Sequence, residues 1–319
     1  MELIEAIGVI EGFLLEQTPT LSREEVAAQA GVPLEVAMEL WRHLGFPHAE
    51  PGQPAFTDAD VEALRRTAAL MQLGILSPDR QSALVRTWGR SFARLADWQT
   101  SLLADVARER GGDDVEELLT LAAQVLPLVE DLQTYIWRRH LASAASRMLT
   151  VAGATAVPMA VGFVDIVGYT ARSKTLTEAE MVDLVEEFED TCTRVVVEHS
   201  GRVIKNLGDA VLFTCDRAED AARAVLDLLE LAEDEQAPFP EVRAGIAYGD
   251  VVTRLGDVFG PTVNIAARLT SIARRCTIVV DEGAATQLEG LPGLDLHRLR
   301  RTSVKGYSRL QPYRLRADS

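Results

Sequence analysis

The spacing of apolar residues changes near residue 150, and this change limits the possible folds more than any other feature of the chain. Across residues 1–147 apolar side chains recur at helical intervals, and no stretch alternates as a half-buried strand would. Beyond Met159, apolar runs of strand length separate amphipathic helices. Two such patterns in a chain of 319 residues predict two domains with separate cores.

The junction between the two patterns is a run of small, uncharged residues, TVAGATAVP, at positions 150–158. Composition of this kind is typical of a connection between domains. We therefore predict an all-α domain over residues 1–147, a linker over 148–157 and a mixed domain over 158–319. The fold class is then α+β.

The second half contains strands and helices in the order β-α-β-β-α-β. Its central feature is a hairpin, since two strand patterns flank the turn residues Gly208 and Asp209. This order is typical of a ferredoxin-like arrangement, an antiparallel sheet with helices on one face. Further elements follow, among them a helix over Pro261 to Ile272 that begins at its proline.

The first half begins with a pair of short helices. Ser22 and Glu25 form a capping-box pattern, and the helix that they start ends at Gly31. A second helix over Leu34 to Leu44 completes a helix-turn-helix-like segment, which resembles the start of MerR-type winged-helix domains. The second helix offers Glu35 and Glu39 but only one arginine, so we favour a protein-binding scaffold over a DNA reader.

Charge and cysteine content exclude several classes of protein. The formal charge is −16, with 22 acids against 13 bases in residues 1–150 and an acidic excess in the remainder. Neither half has the positive field of a nucleic-acid or membrane-surface binder, so no nucleic-acid partner is expected. We find no secretory signal and no transmembrane segment, and we read Cys192, Cys215 and Cys276 as reduced core thiols of a cytoplasmic protein.

Two aspartates carry the first sign of chemistry. Asp165 ends an apolar strand and is followed by the turn residues Ile166, Val167, Gly168, Tyr169 and Thr170, whose N–H groups are suited to face phosphate. Asp209 lies in the hairpin turn, so both carboxylates can share a pair of metal ions if their strands are neighbours. Each aspartate alone would more often be a turn or cap residue.

Three segments in one domain favour a catalytic role for the two aspartates over a turn or cap role: FVDIVGYT, IKNLGDA and GDVFGPTVNIAAR. Together they resemble the class III nucleotidyl cyclases over roughly residues 155–316. The resemblance implies that Asp165, Asp209 and the Ile166 backbone bind two divalent cations, Mg²⁺ or Mn²⁺. It also implies that Asn264 orients the ribose and that Arg268 stabilises charge on the attacked phosphorus. Lys305 matches a lysine that reaches the terminal phosphates.

The same resemblance assigns base selection to Lys205 and Asp257. Adenine offers an acceptor at N1 and a donor at N6, which suit an ammonium and a carboxylate, whereas guanine reverses this edge. We therefore predict an adenylyl cyclase that converts ATP into 3′,5′-cyclic AMP and pyrophosphate. Because members of the family complete each site across a dimer, we expect a homodimer with two composite sites.

The domain order resembles that of soluble actinobacterial adenylyl cyclases whose regulatory domain responds to pH. This implies autoinhibition by the first half, and His43, His48 and His140 are its candidate sensors because histidine titrates between pH 5 and 8. We hypothesise that residues 140–158 form a bistable element. A lipid or another small molecule bound among the N-terminal helices is the alternative signal.

Three rival functions are weighed against the cyclase. A catalytically silent nucleotide sensor conflicts with the complete catalytic set, and a DNA-binding regulator conflicts with the acidic first half. A diguanylate cyclase would carry GGDEF-like residues in the hairpin, where this chain has NLGDA at 206–210. We set the last of these aside.

Overall fold

The computed structural model describes residues 3–73, 78–109, 115–150, 156–234, 239–254, 256–304 and 307–318. The chain divides into two compact units, Met1–Met148 and Leu149–Ser319. We refer to them as the N-terminal unit and, for the cyclase activity that its motifs predict, the catalytic unit. Helix α6 extends to Thr150 and strand β1 begins at Val157, so both ends of the predicted linker lie within regular elements.

The N-terminal unit is helical in its described part, as the apolar spacing predicts. Its one β-bridge there joins Leu21 to Phe56. The helices are α1 (Leu3–Leu14), α2 (Arg23–Ala30), α3 (Leu34–Leu44), α4 (Asp58–Gln72), α5 (Pro78–Glu109) and α6 (Val115–Thr150).

The predicted boundaries of the helix pair α2–α3 are confirmed. The Ser22 hydroxyl accepts from the Glu25 N–H and the Glu25 carboxylate accepts from the Ser22 N–H, which closes the capping box. Gly31 ends α2 in the left-handed conformation at φ 70°, where a side chain would be strained. The small core beneath the pair contains Trp41 stacked on Phe56, with ring centroids 4.6 Å apart.

The catalytic unit contains a mixed sheet with the strand order β2-β3-β1-β4-β6-β10-β7. The first four strands run in the ferredoxin-like order and pair antiparallel, which confirms the predicted fold, while β4 and β6 pair in parallel. The elements are β1 (Val157–Ile166), α7 (Tyr169–Arg172), α8 (Glu178–Glu198), β2 (Arg202–Asn206), β3 (Ala210–Cys215), α9 (Ala218–Glu233), β4 (Val242–Arg254), β5 (Asp257–Phe259), α10 (Pro261–Ile272), β6 (Ile278–Val280), α11 (Glu282–Leu288), β7 (Leu294–Arg298), β8 (Thr302–Val304), β9 (Tyr307–Leu310) and β10 (Tyr313–Ala317).

Side chains of the central strands alternate between two cores, one on each face of the sheet. Helices α8, α9 and α11 cover one face, where Phe188 and Leu228 are fully buried. Helix α10 covers the other face, where Leu269 packs with Val161 and Leu212. The prediction of helices on one face therefore applies to α8 and α9, and α10 defines a second face that we call the α10 face.

The cysteines only partly match the prediction of core thiols. Cys192 and Cys215 are buried, and burial raises the pKa of the Cys215 thiol to about 12 and that of Cys192 further still. Cys276 differs, since it is only half-buried and has a φ of 50° in the turn that precedes β6. The prediction was wrong for this residue because the tight turn keeps its side chain out of the core.

Candidate active site

The two predicted metal-binding aspartates lie at the same end of neighbouring strands. Asp165 on β1 pairs in register with Ala210 on β3, so Asp209 comes directly before its cross-strand partner. The Ile166 N–H donates to the Asp209 carbonyl oxygen at 2.9 Å, which ties the hairpin turn to the end of β1. The antiparallel pairing of β1 with β3 therefore brings together two carboxylates that are 44 residues apart in the sequence.

Asp165 also has a cationic partner that the sequence analysis missed. On the opposite neighbour β4, Arg243 pairs in register with Asp165 and donates from Nε and Nη2 to its Oδ2 at 2.7 and 2.6 Å. The pKa of Asp165 is raised above its usual range, and burial of the carboxyl group is the main cause. The Arg243 guanidinium lowers this pKa and the negative charge of Asp209 raises it, but both effects are smaller than that of burial. Only the strand register could have revealed Arg243, because 78 residues separate it from Asp165.

The donor set fits divalent cations that are completed by a phosphate ligand. Carboxylate oxygens are the ligands that Mg²⁺ prefers, and Mg²⁺ is commonly held by one or two carboxylates together with substrate phosphates. Within the described residues, no group of three or more His, Cys, Asp or Glu side chains is placed to hold a metal by itself. The two carboxylates of Asp165 and Asp209 thus fit a partial set of cation ligands, to which phosphate oxygens would add the rest.

The backbone N–H groups of the turn after β1 differ in whether the protein already supplies an acceptor for them. The Val167 N–H donates to the Glu241 carbonyl at 2.8 Å, so it is already satisfied by the protein. Gly168 is left-handed at φ 72° and precedes the single-turn helix α7. The first N–H groups of a helix have no acceptor within it, so those of Tyr169 and Thr170 fit the predicted phosphate-facing role better than that of Val167.

The predicted base-selecting residues are in direct contact. Lys205 Nζ lies 2.6 Å from Asp257 Oδ2, although 52 residues separate them. Lys205 is on β2 and pairs with Leu212, whose side chain packs on the α10 face, so Lys205 shares that face. Burial alone would raise the pKa of Asp257, but hydrogen bonds from Lys205 and the Val258 N–H outweigh it and leave that pKa below its usual range.

Helix α10 carries the remaining predicted pair. Asn264 is exposed and Arg268 is half-buried, four residues further along the same side of the helix. Within the described part of the chain, the Arg268 guanidinium has no ion-pair partner, in contrast to that of Arg243. Gly245 lets α10 approach the sheet, because a Cβ there would lie 2.3 Å from the Thr270 nitrogen.

Four predicted functional residues lie elsewhere. Lys305 is outside the described residues, in the sequence between β8 and β9. His43 is half-buried on α3, His48 is exposed after that helix, and His140 is exposed on α6. All three histidines belong to the N-terminal unit.

The α10 face therefore carries Asp165 and the Lys205–Asp257 pair, with Asp209 in the turn beside Asp165. Helix α10 adds Arg268, which has no ion-pair partner among the described residues. Such an arrangement is typical of enzyme sites in which metal ions and cationic side chains act on phosphate.

Comparison with known proteins agrees with this class. The family "Adenylate and Guanylate cyclase catalytic domain" matches residues 153–317. An adenylate cyclase of Streptomyces coelicolor is 41% identical over 287 residues, which is 88% of this chain and 74% of that protein. An adenylate cyclase of Glutamicibacter nicotianae is 35% identical over 98% of this chain and 83% of that protein. The chain belongs to the adenylate and guanylate cyclase family, as the motifs predict.

The similarity extends through the N-terminal unit as well. A protein of Mycobacterium tuberculosis named pH-sensitive adenylate cyclase is 27% identical over 86% of this chain and 72% of its own length. No helix among the described residues is long and apolar enough to cross a membrane.

Proposed function

We propose that this chain is an adenylate cyclase that converts ATP into 3′,5′-cyclic AMP and pyrophosphate. The observation that carries the proposal is the contact between Lys205 and Asp257 at 2.6 Å, on the sheet face that also bears Asp165. An ammonium and a carboxylate side by side match the acceptor at N1 and the donor at N6 of adenine. Two relatives that align over most of both chains, those of Glutamicibacter nicotianae and Streptomyces coelicolor, are named adenylate cyclases, which supports the same substrate.

The reaction is an in-line displacement at the α-phosphorus. The ribose 3′-oxygen forms a bond to that phosphorus, the bond to the bridging oxygen of pyrophosphate breaks, and the 3′-hydroxyl proton leaves to solvent. Asp165, Asp209 and the Ile166 carbonyl would hold two divalent cations, Mg²⁺ or Mn²⁺. When bound, such cations lower the pKa of the attacking hydroxyl and neutralise the triphosphate.

The chain's own cations then act on the developing charge. Arg268 has no carboxylate partner in the described part of the chain, so its guanidinium is available to stabilise the oxygens around the attacked phosphorus. Asn264, one helical turn earlier, would hold the ribose. Arg243 is engaged by Asp165, and this ion pair holds the Asp165 carboxylate in position at the end of β1.

We further propose that two copies of the chain form a homodimer in which each site combines residues of both subunits. The N-terminal unit would regulate this dimer, with pH as the signal. His140 is the preferred sensor because it is exposed on the helix that leads into the catalytic unit, while His43 and His48 are alternatives.

The test is cyclic AMP formation by the full chain with ATP and Mn²⁺ between pH 5.5 and 8, with GTP as the competing substrate. We expect ATP to be converted, GTP to be a poorer substrate, and the pH response to shift in His140→Ala. His199→Ala is the matched control, since His199 contacts Asp227 within the catalytic unit. An unshifted profile in His140→Ala removes that residue as sensor.

Two other results would replace the proposal. ATP binding without turnover at any pH would make the chain a nucleotide sensor. Specific retardation of duplex DNA at low salt would favour the DNA-binding alternative, although α3 exposes Glu35 and Glu39 where a DNA reader presents basic residues.

A further inference from the structure

The second half of α6 carries apolar side chains that nothing in the described chain covers. Leu128, Leu132, Tyr135 and Ile136 are 65%, 57%, 60% and 50% exposed. With the half-buried Val125 they recur every three or four residues, which places them along one side of the helix. We call these five residues the α6 stripe. Between residues 127 and 146 no side chain is buried.

Such a helix is unusual for a folded protein. Most helical stability in proteins comes from packing an apolar face against another element rather than from intrinsic propensity. A contiguous exposed apolar patch on a helix marks a surface that another molecule covers. The α6 stripe therefore indicates a missing partner.

We propose that the α6 stripe pairs with the α6 stripe of a second copy of this chain, with the two helices parallel. The intervals between Val125, Leu128, Leu132 and Tyr135 are three, four and three residues, a 3.5-residue period that keeps one seam facing a partner helix. The next residue on this side is Arg139, which ends the apolar seam. In a parallel pair, a second copy of α6 places the same apolar residues at the same heights along the seam.

The area of the stripe is consistent with part of a dimer interface. Its four exposed side chains would each bury on the order of 100 Å², so two copies would bury on the order of 800 Å². A stable protein interface buries about 1,200–2,000 Å². The α6 pair would therefore supply roughly half of such an interface, and the rest is expected from the catalytic units.

The parallel direction rests on the proposed function. Composite sites require two catalytic units side by side, and β1 begins only seven residues after the end of α6 at Thr150. Seven residues span at most about 25 Å. An antiparallel pair centred on the stripe would separate the two ends of α6 by roughly 55 Å, whereas a parallel pair places them together.

Cysteine cross-linking of the full chain tests the pairing. In a Cys276→Ser background the remaining native thiols, Cys192 and Cys215, are buried. Leu128→Cys and Leu132→Cys would face their own copies across the seam, within the Cα separation of about 4.4–6.8 Å that a disulfide allows. Glu130→Cys is the matched control, because residue 130 is exposed on the opposite side of α6.

We expect mild oxidation to produce disulfide-linked dimers of the Leu128→Cys and Leu132→Cys chains at least ten times faster than of Glu130→Cys. Equal rates at all three positions would overturn the proposal. Introduced thiols that do not react and form no dimer would also overturn it. That result would mean that another part of the same chain, such as the exposed Phe92 and Trp98 of α5, covers the stripe.

A second measurement does not depend on oxidation. Leu128→Asp with Leu132→Asp should raise the dimer dissociation constant of the full chain at least tenfold in sedimentation experiments, while Thr134→Asp should not. An unchanged constant would overturn the pairing. Cyclic AMP formation in the wild type separates the two hypotheses: activity without cross-linking contradicts only the α6 pair, and cross-linking without activity contradicts only the cyclase.

Discussion

The helices of the catalytic unit and the long helices of the N-terminal unit use their apolar residues in opposite ways. Phe188 of α8 and Leu228 of α9 are fully buried against the sheet, whereas Trp98 of α5 and Trp137 of α6 are 60% and 58% exposed. The first pair finds its partners within one chain. The second pair stays largely exposed in the described part of the chain, so the long N-terminal helices leave apolar surface uncovered there.

The largest effect is expected at the two aspartates of the catalytic unit that are proposed to hold the metal ions. Asp209→Ala removes one of two carboxylates at the strand ends, and metal ions provide several kcal/mol of transition-state stabilisation. We expect cyclic AMP formation to fall at least about 1,000-fold. Asp227→Ala is the control, since Asp227 is an exposed carboxylate on α9 that contacts His199. Equal losses in both variants would contradict a metal-binding role for Asp209.

A slightly smaller effect is expected on α10. Arg268→Ala should lower kcat by about 10²–10³ with little change in KM, because a preorganised donor of this kind acts mainly on the transition state. Arg274→Ala, an exposed arginine just beyond the same helix, should retain activity. An increase in KM without a change in kcat would instead place Arg268 in ground-state binding.

Matched glycine substitutions compare the two units directly. In Gly245→Ala the new Cβ would lie 2.3 Å from the Thr270 nitrogen and would displace α10 together with Asn264 and Arg268. A displacement of about 1 Å can reduce a rate about 100-fold.

Gly89→Ala creates a similar collision at 2.4 Å from the Leu44 carbonyl oxygen, but within the N-terminal unit. We expect it to lower the melting temperature of the N-terminal unit and to alter regulation without this loss of kcat. Measuring kcat and thermal unfolding for both variants checks the separation, and an equal loss of kcat in Gly89→Ala would show that the two units are tightly coupled.

The smallest effect concerns the base-selecting pair and its dependence on pH. Lys205→Met should lower kcat/KM for ATP by about 10–100-fold, because a charged hydrogen bond is worth about 1.5–3 kcal/mol. The pKa of Asp257 is below its usual range in the folded chain, so the contribution of the pair is present above the usual carboxylate pKa and is lost only in stronger acid.

The Asp257 carboxylate therefore stays ionised between pH 5.5 and 8. We expect parallel pH profiles for the wild type and Lys205→Met in this window, measured as cyclic AMP formation at saturating ATP. A shifted profile would indicate that the pH response arises at the nucleotide site rather than in the N-terminal unit.

Much of the fold followed from local patterns. The capping box at Ser22, the left-handed glycine at position 31 and the proline that begins α10 are signals within a few residues, and the structure has helix ends at each of them. The exception was Cys276, for which the apolar neighbours in the sequence suggested a core position. Local sequence does not show which way a tight turn points a side chain.

The site divides in the same manner. The motifs around Asp165, Asp209 and Asp257 are visible in the sequence because the family resemblance spans them, and their catalytic roles stay predictions. Arg243 and the occupied Val167 N–H were not visible, since both depend on strand β4 lying beside β1. Register between distant strands is set by packing of the whole sheet rather than by neighbouring residues.

The sequence by itself determined the family of this protein, the order of its helices and strands, and the residue types available for nucleotide chemistry. Only the tertiary structure decided that Lys205 contacts Asp257 and that Asp165 is paired with Arg243. It also decided that Asp165 and Lys205 lie on the face of the sheet that α10 covers. The physical reason is that hydrophobic periodicity and capping act over a few residues, whereas a contact between residues 52 or 78 positions apart exists only once the strands that carry them are paired.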